Sequence, residues 1–216
     1  MSLKRLHFKT REEWLEGRDE IKGIGGSDAA AALGYSKRKT PVDLWREKTG
    51  RAAAKDLSGV DYVQLGNRTE GPMRGLFAAL HPEYEVKHFP FDILYQPERP
   101  WLFATLDGEL TDIATQEHGI LEIKKFEVQE ASDWALWKDQ VPQDYFCQVL
   151  HQLAATDYDF AWLWALLLKR DGNAELREYF FPRWIYEKDI GALVAGEIKF
   201  QSYVDTGKIP PQPLRL

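Results

Sequence analysis

The sequence predicts a mixed α/β fold (α+β in the grouping of its elements), with a mixed sheet flanked by helices. Capping signals and helical spacing mark the first 80 residues, and aromatic and β-branched residues mark strands between 84 and 126. The 216 residues, 44% of them hydrophobic, can build one well-packed core. We expect one domain over 1–216, with a helical part at about 10–80 and the catalytic sheet with its helices at about 83–207.

Four helices are predicted in the first part, at 10–19, 29–33, 40–50 and 60–80. A capping box begins at Thr10, and Thr40-Pro41 puts proline at the first helical position, where its missing N–H is not needed. Ser27 or Asp28, after a glycine-rich turn, can cap the second helix. The apolar face of the fourth helix comprises Val63, Met73, Leu76, Phe77 and Leu80.

The strands form a second group of elements. They are predicted at 84–94, 102–106, 109–113, 119–126, 160–168 and 176–181. Asp171-Gly172-Asn173 is a strong turn signal that joins the last two strands as a hairpin. Further helices are predicted at 142–156 and 187–206. Helices, a mainly antiparallel sheet, then a helix and more strands complete the predicted order.

Composition excludes several classes of protein. The single cysteine, Cys147, excludes an internal disulfide framework and a cysteine-only zinc or iron–sulfur site within one chain, and it suits a reducing cytoplasm. No apolar run follows the basic start, and the longest apolar stretch, Phe160–Leu168, is too short to span a membrane. The net charge of −6 argues against nonspecific coating of nucleic acid, but not against a nuclease, whose metal site needs carboxylates. We expect a cytoplasmic protein without a membrane partner.

The most informative segment runs from 104 to 126. Asp107 ends one predicted strand, and Glu122 and Lys124 lie two apart in the next, so both side chains share a face. Mg²⁺ takes oxygen ligands, which Asp107, Glu122 and the backbone carbonyl of Ile123 can supply. Lys124 can orient a water or stabilise the transition state of phosphodiester hydrolysis, and a nearby metal would bias Lys124 toward its neutral form.

Each part of this pattern has an ordinary structural interpretation. Asp107-Gly108 between two strands is also a common hairpin turn. Glu122 and Lys124 could equally form a solvent-facing ion pair on a strand. The two parts favour a catalytic site only in combination.

Four groups of residues carry a resemblance to a known family. They are Trp14 and Arg18 with the turn at 23–28; Thr40-Pro41 with Leu44-Trp45 and Lys48-Thr49-Gly50; Gly66-Asn67-Arg68-Thr69-Glu70; and Ala104-Thr105-Leu106-Asp107-Gly108 with Leu121-Glu122-Ile123-Lys124, Tyr145, Gln148 and His151-Gln152-Leu153. On these motifs the chain resembles the lambda-type (YqaJ-like) phage alkaline exonucleases, members of the PD-(D/E)XK nuclease superfamily. The resemblance covers about residues 14–156 and implies a restriction-endonuclease-like core.

The resemblance implies a role for each matching residue. Asp107 and Glu122 match the metal ligands, and Lys124 matches the catalytic lysine. Glu70 matches a helix-borne acid near the metal, and Gln148 matches the glutamine of the helix after the catalytic strand.

A second set of matches concerns the DNA end. Arg18, Ser27 and Thr105 match positions that hold the 5′ phosphate of the strand being digested. Arginine offers a planar fork suited to phosphate, and the glycine-rich turn before a helix presents backbone N–H groups to an anion. Thr105, two residues before Asp107, is expected to share its strand face. The chain departs from the superfamily motif in having Thr105-Leu106 where a proline precedes the aspartate.

The function implied is Mg²⁺-dependent digestion of linear double-stranded DNA, with Mn²⁺ as a substitute ion. The resemblance further implies 5′-to-3′ polarity, 3′ single-stranded tails for recombination, a homotrimeric ring and a single-strand annealing partner. It also implies a phage or prophage origin. Two alternatives stay open: an endonuclease of the same superfamily, and a non-catalytic DNA-binding domain that kept the fold.

Overall fold

The computed structural model describes residues 2–53 and 61–212, which build two sheets and surrounding helices. The strands are β1 (Lys4–His7), β2 (Tyr84–Lys87), β3 (Asp92–Tyr95), β4 (Phe103–Ala104), β5 (Gly108–Asp112), β6 (His118–Glu127), β7 (Phe160–Leu168) and β8 (Ala174–Pro182). The helices are α1 (Arg11–Ile21), α2 (Ala29–Ala32), α3 (Pro41–Lys48), α4 (Asp61–Leu80), α5 (Ala131–Ala135), α6 (Gln143–Thr156) and α7 (Arg183–Thr206). The larger sheet has the order β2-β5-β6-β7-β8 and the smaller β1-β3-β4, so the predicted fold class is confirmed.

β6 runs through the middle of the larger sheet. It is antiparallel to β5, with Gly108 opposite Leu121, and parallel to β7. A parallel neighbour requires a crossover connection, which α5 and α6 provide. Leu121 and Ile123 pack on one face with Phe77 of α4, while α6 contributes to the core on the other. Burial on both faces fixes β6 in place and makes it a rigid support for functional side chains.

The prediction of a single strand at 84–94 is wrong. The chain forms β2, which pairs with β5, then turns and forms β3, which pairs with β1 and β4 in the smaller sheet. Phe91 at the turn has a φ of 64°, a backbone conformation that few non-glycine residues adopt. β1 has no predicted counterpart because its four side chains are all exposed, so no alternation marks it.

α4 confirms the predicted long helix but not its whole apolar face. Position 60 and the side chain of Val63 lie outside the described residues. Met73 and Phe77 are buried, whereas Leu76 and Leu80 are 49% and 56% exposed. The sheet covers only one stripe of the helix, which is narrower than the sequence pattern.

The C-terminal hairpin and the closing helix extend beyond their predicted limits. β7 and β8 are antiparallel, and Gly172 in their turn has a φ of 85°. β8 begins at Ala174 and α7 at Arg183, ahead of the predicted positions 176 and 187. No helix in the described part of the chain combines the length and apolar character needed to cross a bilayer.

A buried ion pair joins α6 to its neighbours. His151 is fully buried, and its Nδ1 lies 2.7 Å from Glu197 Oε1 of α7. Its Nε2 lies 2.9 Å from the Phe103 carbonyl oxygen of β4. Burial alone would lower the pKa of His151, but the charge of Glu197 outweighs it and raises that pKa. His151 therefore holds α6, α7 and β4 together in the core.

Candidate active site

Asp107 lies where the chain passes from the smaller sheet to the larger. It follows β4, which pairs with β3, and precedes β5, which pairs with β6, so the hairpin-turn interpretation is wrong. The paired part of β5 opposite β6 ends at Gly108 and Leu121. Beyond this point Asp107 Oδ2 accepts a hydrogen bond of 2.8 Å from the Ile123 N–H. Because N–H and C=O of one strand residue point to the same side, the Ile123 carbonyl faces the Asp107 edge as well.

Glu122 is held by three donors in the interior. Its carboxylate is 2% exposed and accepts hydrogen bonds from Gln148 Nε2 at 2.7 Å and from Gln152 Nε2 at 2.5 Å. Lys124 Nζ donates to Glu122 Oε1, which confirms that the two side chains share a face of β6. The near-complete burial of Glu122 excludes a solvent-facing ion pair.

The electrostatics of this cluster are dominated by its carboxylates. Burial and the charge of Glu122 raise the pKa of Asp107 well above its usual range. Burial alone would lower the pKa of Lys124, but Glu122 and Asp107 outweigh it and raise that pKa. Without a metal the ammonium form of Lys124 is therefore favoured. The bias toward its neutral form concerns the metal-loaded site and stays a prediction.

Glu70 reaches the cluster through an arginine. Arg74 Nη1, one turn along α4, donates to Glu70 Oε1 at 3.0 Å and also to the main-chain oxygen of Asp107. Glu70 is therefore linked through one guanidinium to the main chain at Asp107, and its charge contributes to the raised pKa of Asp107. Arg74 fixes the backbone at Asp107 from the α4 side of the sheet.

The three residues matched to the terminal phosphate line one small pocket. It has a volume of about 180 Å³, and its walls include Arg18, Ser27 and Thr105 together with Asp107 and Gln148. The sequence predicts that Thr105 shares a strand face with Asp107, and this prediction is wrong because β4 ends at Ala104. The hydroxyl of Thr105 is nevertheless buried, and it has no hydrogen-bond partner among the described residues. Such an orphaned polar group is costly unless a ligand satisfies it.

Arg18 enters this pocket supported by two aromatic rings. Its guanidinium carbon lies 4.6 Å from the ring centre of Trp14 and 5.5 Å from that of Phe103. Within the described ranges its guanidinium makes no hydrogen bond or ion pair, and burial lowers the pKa of Arg18. An aromatic support of this kind leaves the hydrogen-bonding edge of the guanidinium available for an anion.

The glycine-rich turn packs closely against the carboxylate cluster. Ser27 lies in a 3₁₀ turn, Gly26–Asp28, ahead of α2, and Asp28 does not cap that helix with its side chain. Asp28 instead pairs with Lys48 at 2.7 Å. A Cβ atom at Gly26 would lie 3.1 Å from Gln148 Cγ. Glycine at this position therefore lets the turn approach the glutamine that holds Glu122.

Three further residues contribute to the site, although the sequence predicted no role for them. Gln152 bonds Glu122, Arg74 bonds the Asp107 backbone, and the Tyr145 ring lies 5.2 Å below Lys124 Nζ. For Gln152 a signal exists: it lies four residues after Gln148 on a helix, so the two amides share a face. Nothing in the local pattern distinguishes Arg74 from a surface arginine.

Comparison with known proteins places the chain in a family. A sequence model of the YqaJ-like viral recombinase domain matches residues 13–159. Over 149 residues the chain is 32% identical to the uncharacterized protein YqaJ of Bacillus subtilis strain 168, an alignment that covers 67% of this chain and 42% of that protein. The fold resembles an alkaline exonuclease, LHK-Exo, from Laribacter hongkongensis, with a TM-score of 0.62 at 15% identity over 91% of this chain and 96% of that one. The same enzyme in complex with dAMP gives a TM-score of 0.60 at 14% identity over the same shares of the two chains. The chain therefore belongs to the YqaJ-like viral recombinase domain family.

Proposed function

We propose that this chain is a metal-dependent exonuclease that degrades linear double-stranded DNA from 5′ to 3′ and leaves 3′ single-stranded tails for recombination by strand annealing. One observation carries the proposal: a cluster of the buried Glu122 and the half-buried Asp107 and Lys124 adjoins a small pocket with Arg18 in its wall. The same pocket contains the Thr105 hydroxyl, which has no hydrogen-bond partner among the described residues. A hydrolytic cluster beside a pocket of this size suits removal of nucleotides from an end. Its structural relative LHK-Exo is described as an alkaline exonuclease, which supports this proposal.

The residues present fit a hard divalent cation, Mg²⁺ or Mn²⁺. Asp107 and Glu122 would hold it through carboxylate oxygens, with the Ile123 carbonyl on the same edge as a third protein oxygen. The raised pKa of Asp107 reflects two buried carboxylates whose charge a cation would compensate. A bound ion supplies Lewis-acid polarisation of the phosphodiester and lowers the pKa of a water. Among residues 2–53 and 61–212, no three His, Cys, Asp or Glu side chains lie together so that they could hold a metal ion.

The remaining side chains have supporting tasks in this proposal. Lys124 orients the attacking water and donates a hydrogen bond toward the developing negative charge. Gln148 and Gln152 hold the Glu122 carboxylate in one orientation. Glu70 acts on Asp107 indirectly, because it holds Arg74, which in turn bonds the main chain at Asp107.

An endonuclease of the same superfamily is the main alternative. It would share the carboxylates and the lysine but has no need for a pocket that accommodates one terminal phosphate. A non-catalytic DNA-binding domain would not need the half-buried Asp107 carboxylate beside the buried Glu122 carboxylate. Neighbouring carboxylates with little solvent destabilise a fold, so their presence favours a function that uses them.

The first prediction tests the reaction itself. We expect linear duplex DNA with 5′ phosphates to be degraded in Mg²⁺ or Mn²⁺. The bound ion would supply the positive charge that activates a water and stabilises the phosphodiester in the transition state. Release of acid-soluble nucleotides over time measures the rate, and excess EDTA should abolish it. A covalently closed circle of the same sequence should persist. Full activity in EDTA would contradict metal dependence, and cutting of the circle would favour the endonuclease.

The second prediction concerns assembly. We propose that the chain forms a homotrimeric ring around DNA and acts together with a single-strand annealing protein. We also propose that its gene is of phage or prophage origin and that it acts in a bacterial host. A chain with a net charge of −6 gains little from nonspecific attraction to DNA, and encirclement would keep it on its substrate. Sedimentation or light scattering should give three times the 25.0 kDa chain mass. A monomer at micromolar concentration would contradict the ring.

A further inference from the structure

A second and larger cavity lies beyond the terminal-phosphate pocket, between α1 and α3. Its volume is about 850 Å³, within the size range of binding sites for organic ligands. Trp14 and Arg18 line both cavities, whereas Asp107 and Gln148 line only the smaller one. The carboxylate cluster, the small pocket, the Trp14–Arg18 stack and the large cavity therefore follow one another in series.

The charge of this cavity differs from that of the chain as a whole. Five basic side chains line it against three acidic ones, in a protein whose net charge is −6. Two basic residues are paired: Lys39 with Glu47 at 2.5 Å and Lys48 with Asp28 at 2.7 Å.

The other three basic side chains of the cavity are Arg11, Arg18 and Lys22. Within residues 2–53 and 61–212 none of them forms an ion pair. In addition, the Trp14 indole N–H is buried, and no acceptor for it occurs in the same described ranges. Asp19 is the third acid of the lining, so these three cations face one acid that is unpaired in the described ranges. This excess of positive charge, in a chain that is acidic as a whole, favours an anionic ligand.

We infer that this cavity binds a short single-stranded 5′ extension of the DNA strand, upstream of the terminal-phosphate position. The inference rests on the proposed function, because that function sets the direction in which the strand runs. If a phosphodiester lies at Asp107 and Glu122 and the next phosphate lies at Arg18, further nucleotides in the 5′ direction pass Arg18 and enter the large cavity.

Recognition in this cavity is by backbone phosphates. Arg18 covers one ring of Trp14 at 4.6 Å, so that indole is engaged and offers little platform for a base. The unpaired cations are suited to phosphate contacts, which carry no sequence preference. An extension of abasic residues should therefore bind as well as one of natural nucleotides.

The test compares the first products from two kinds of end. Wild-type protein should release the terminal nucleotide from a blunt 5′-phosphorylated duplex. From a duplex with a three-nucleotide 5′ extension it should release mainly an oligonucleotide that contains the extension, because the extension occupies the cavity during the first cut. End-labelled strands resolved on a denaturing gel give the ratio of oligonucleotide to mononucleotide.

The variant Arg11→Gln/Lys22→Asn removes two exposed cations of the cavity, and asparagine tolerates the left-handed conformation of Lys22, whose φ is 49°. We expect the product ratio, normalised to the blunt-end rate of the same variant, to fall roughly tenfold from the loss of two phosphate contacts. Lys188→Gln, an exposed lysine on α7, is the matched control and should not change the ratio. Mononucleotides from both ends in the wild type, or an unchanged ratio in the double variant, would overturn the inference. No digestion of the blunt end would instead reject the proposed function.

Discussion

Replacing Glu122 with glutamine should lower kcat/KM for digestion of linear duplex DNA by roughly three orders of magnitude or more. Glu122 is almost completely buried and faces three donors, from Lys124, Gln148 and Gln152. Glutamine keeps the size of the side chain but removes the negative charge. Its amide N–H groups would also face hydrogen-bond donors at a position where the carboxylate oxygen accepts. The ion would lose a charged ligand, and its affinity should fall together with the rate.

Asp107→Asn is the companion variant. Its side-chain oxygen can still accept from the Ile123 N–H, as Asp107 Oδ2 does at 2.8 Å, so the local fold should persist while the metal site loses its charge. Calorimetric titration with Mn²⁺ measures ion binding without DNA, and thermal unfolding followed by circular dichroism verifies that each variant folds.

Glu127→Gln is the matched control for both variants. Glu127 lies on the same strand, is 50% exposed and pairs with Lys125, so its loss should leave the rate within about twofold of wild type. Wild-type rates in Glu122→Gln or Asp107→Asn would remove these carboxylates from the catalytic site. A rate loss in the Glu127 control as large as that in Glu122→Gln would indicate a general effect of charge on the strand.

Arg18→Ala should reduce kcat/KM for 5′-phosphorylated ends by roughly tenfold to a hundredfold, while 5′-hydroxyl ends should be little affected. The guanidinium lies in the small pocket with Ser27 and Thr105, and within the part of the chain that the structure describes it has no ion-pair partner. A bidentate contact with a terminal phosphate would satisfy it and would position the next phosphodiester at Asp107 and Glu122. The measurement is the ratio of rates on the two substrates.

Two further variants separate charge from geometry at this position. Arg18→Lys keeps a positive charge but loses the planar fork, so we expect an intermediate ratio. Arg46→Ala, at an exposed arginine of α3 that pairs with Asp43, serves as the matched control. If wild type does not distinguish the two ends, or if Arg18→Ala slows both equally, the terminal-phosphate assignment of the pocket is wrong.

Local patterns in the sequence were sufficient to predict the central strand and the face that its polar side chains share. A period of two put Glu122 and Lys124 on one face of β6, and the structure has them in contact. Capping signals were equally local: Thr10 accepts a hydrogen bond from the Glu13 N–H, and Thr40 forms a reciprocal box with Asp43. Such features depend on residues within one turn or one strand, so spacing alone encodes them.

Distant residues required more than spacing. The resemblance to a known family grouped Arg18, Ser27 and Thr105. The strand position predicted for Thr105 was nevertheless wrong, because β4 ends at Ala104. The residue pattern also gave no sign that β2 and β3 belong to different sheets. Pairing partners, not alternation, decide where one sheet ends and another begins.

What the sequence by itself determined is therefore the central strand, the shared face of its glutamate and lysine, and the beginnings of the capped helices. Only the tertiary structure decided that Gln152 supports Glu122 and that Arg74 anchors Asp107. It also decided that His151, 46 residues from Glu197, pairs with it in the core. The physical reason is that a buried polar group must be satisfied by whichever partner packing brings within hydrogen-bond distance. The spacing of residues along one helix or strand does not predict which partner another element will provide.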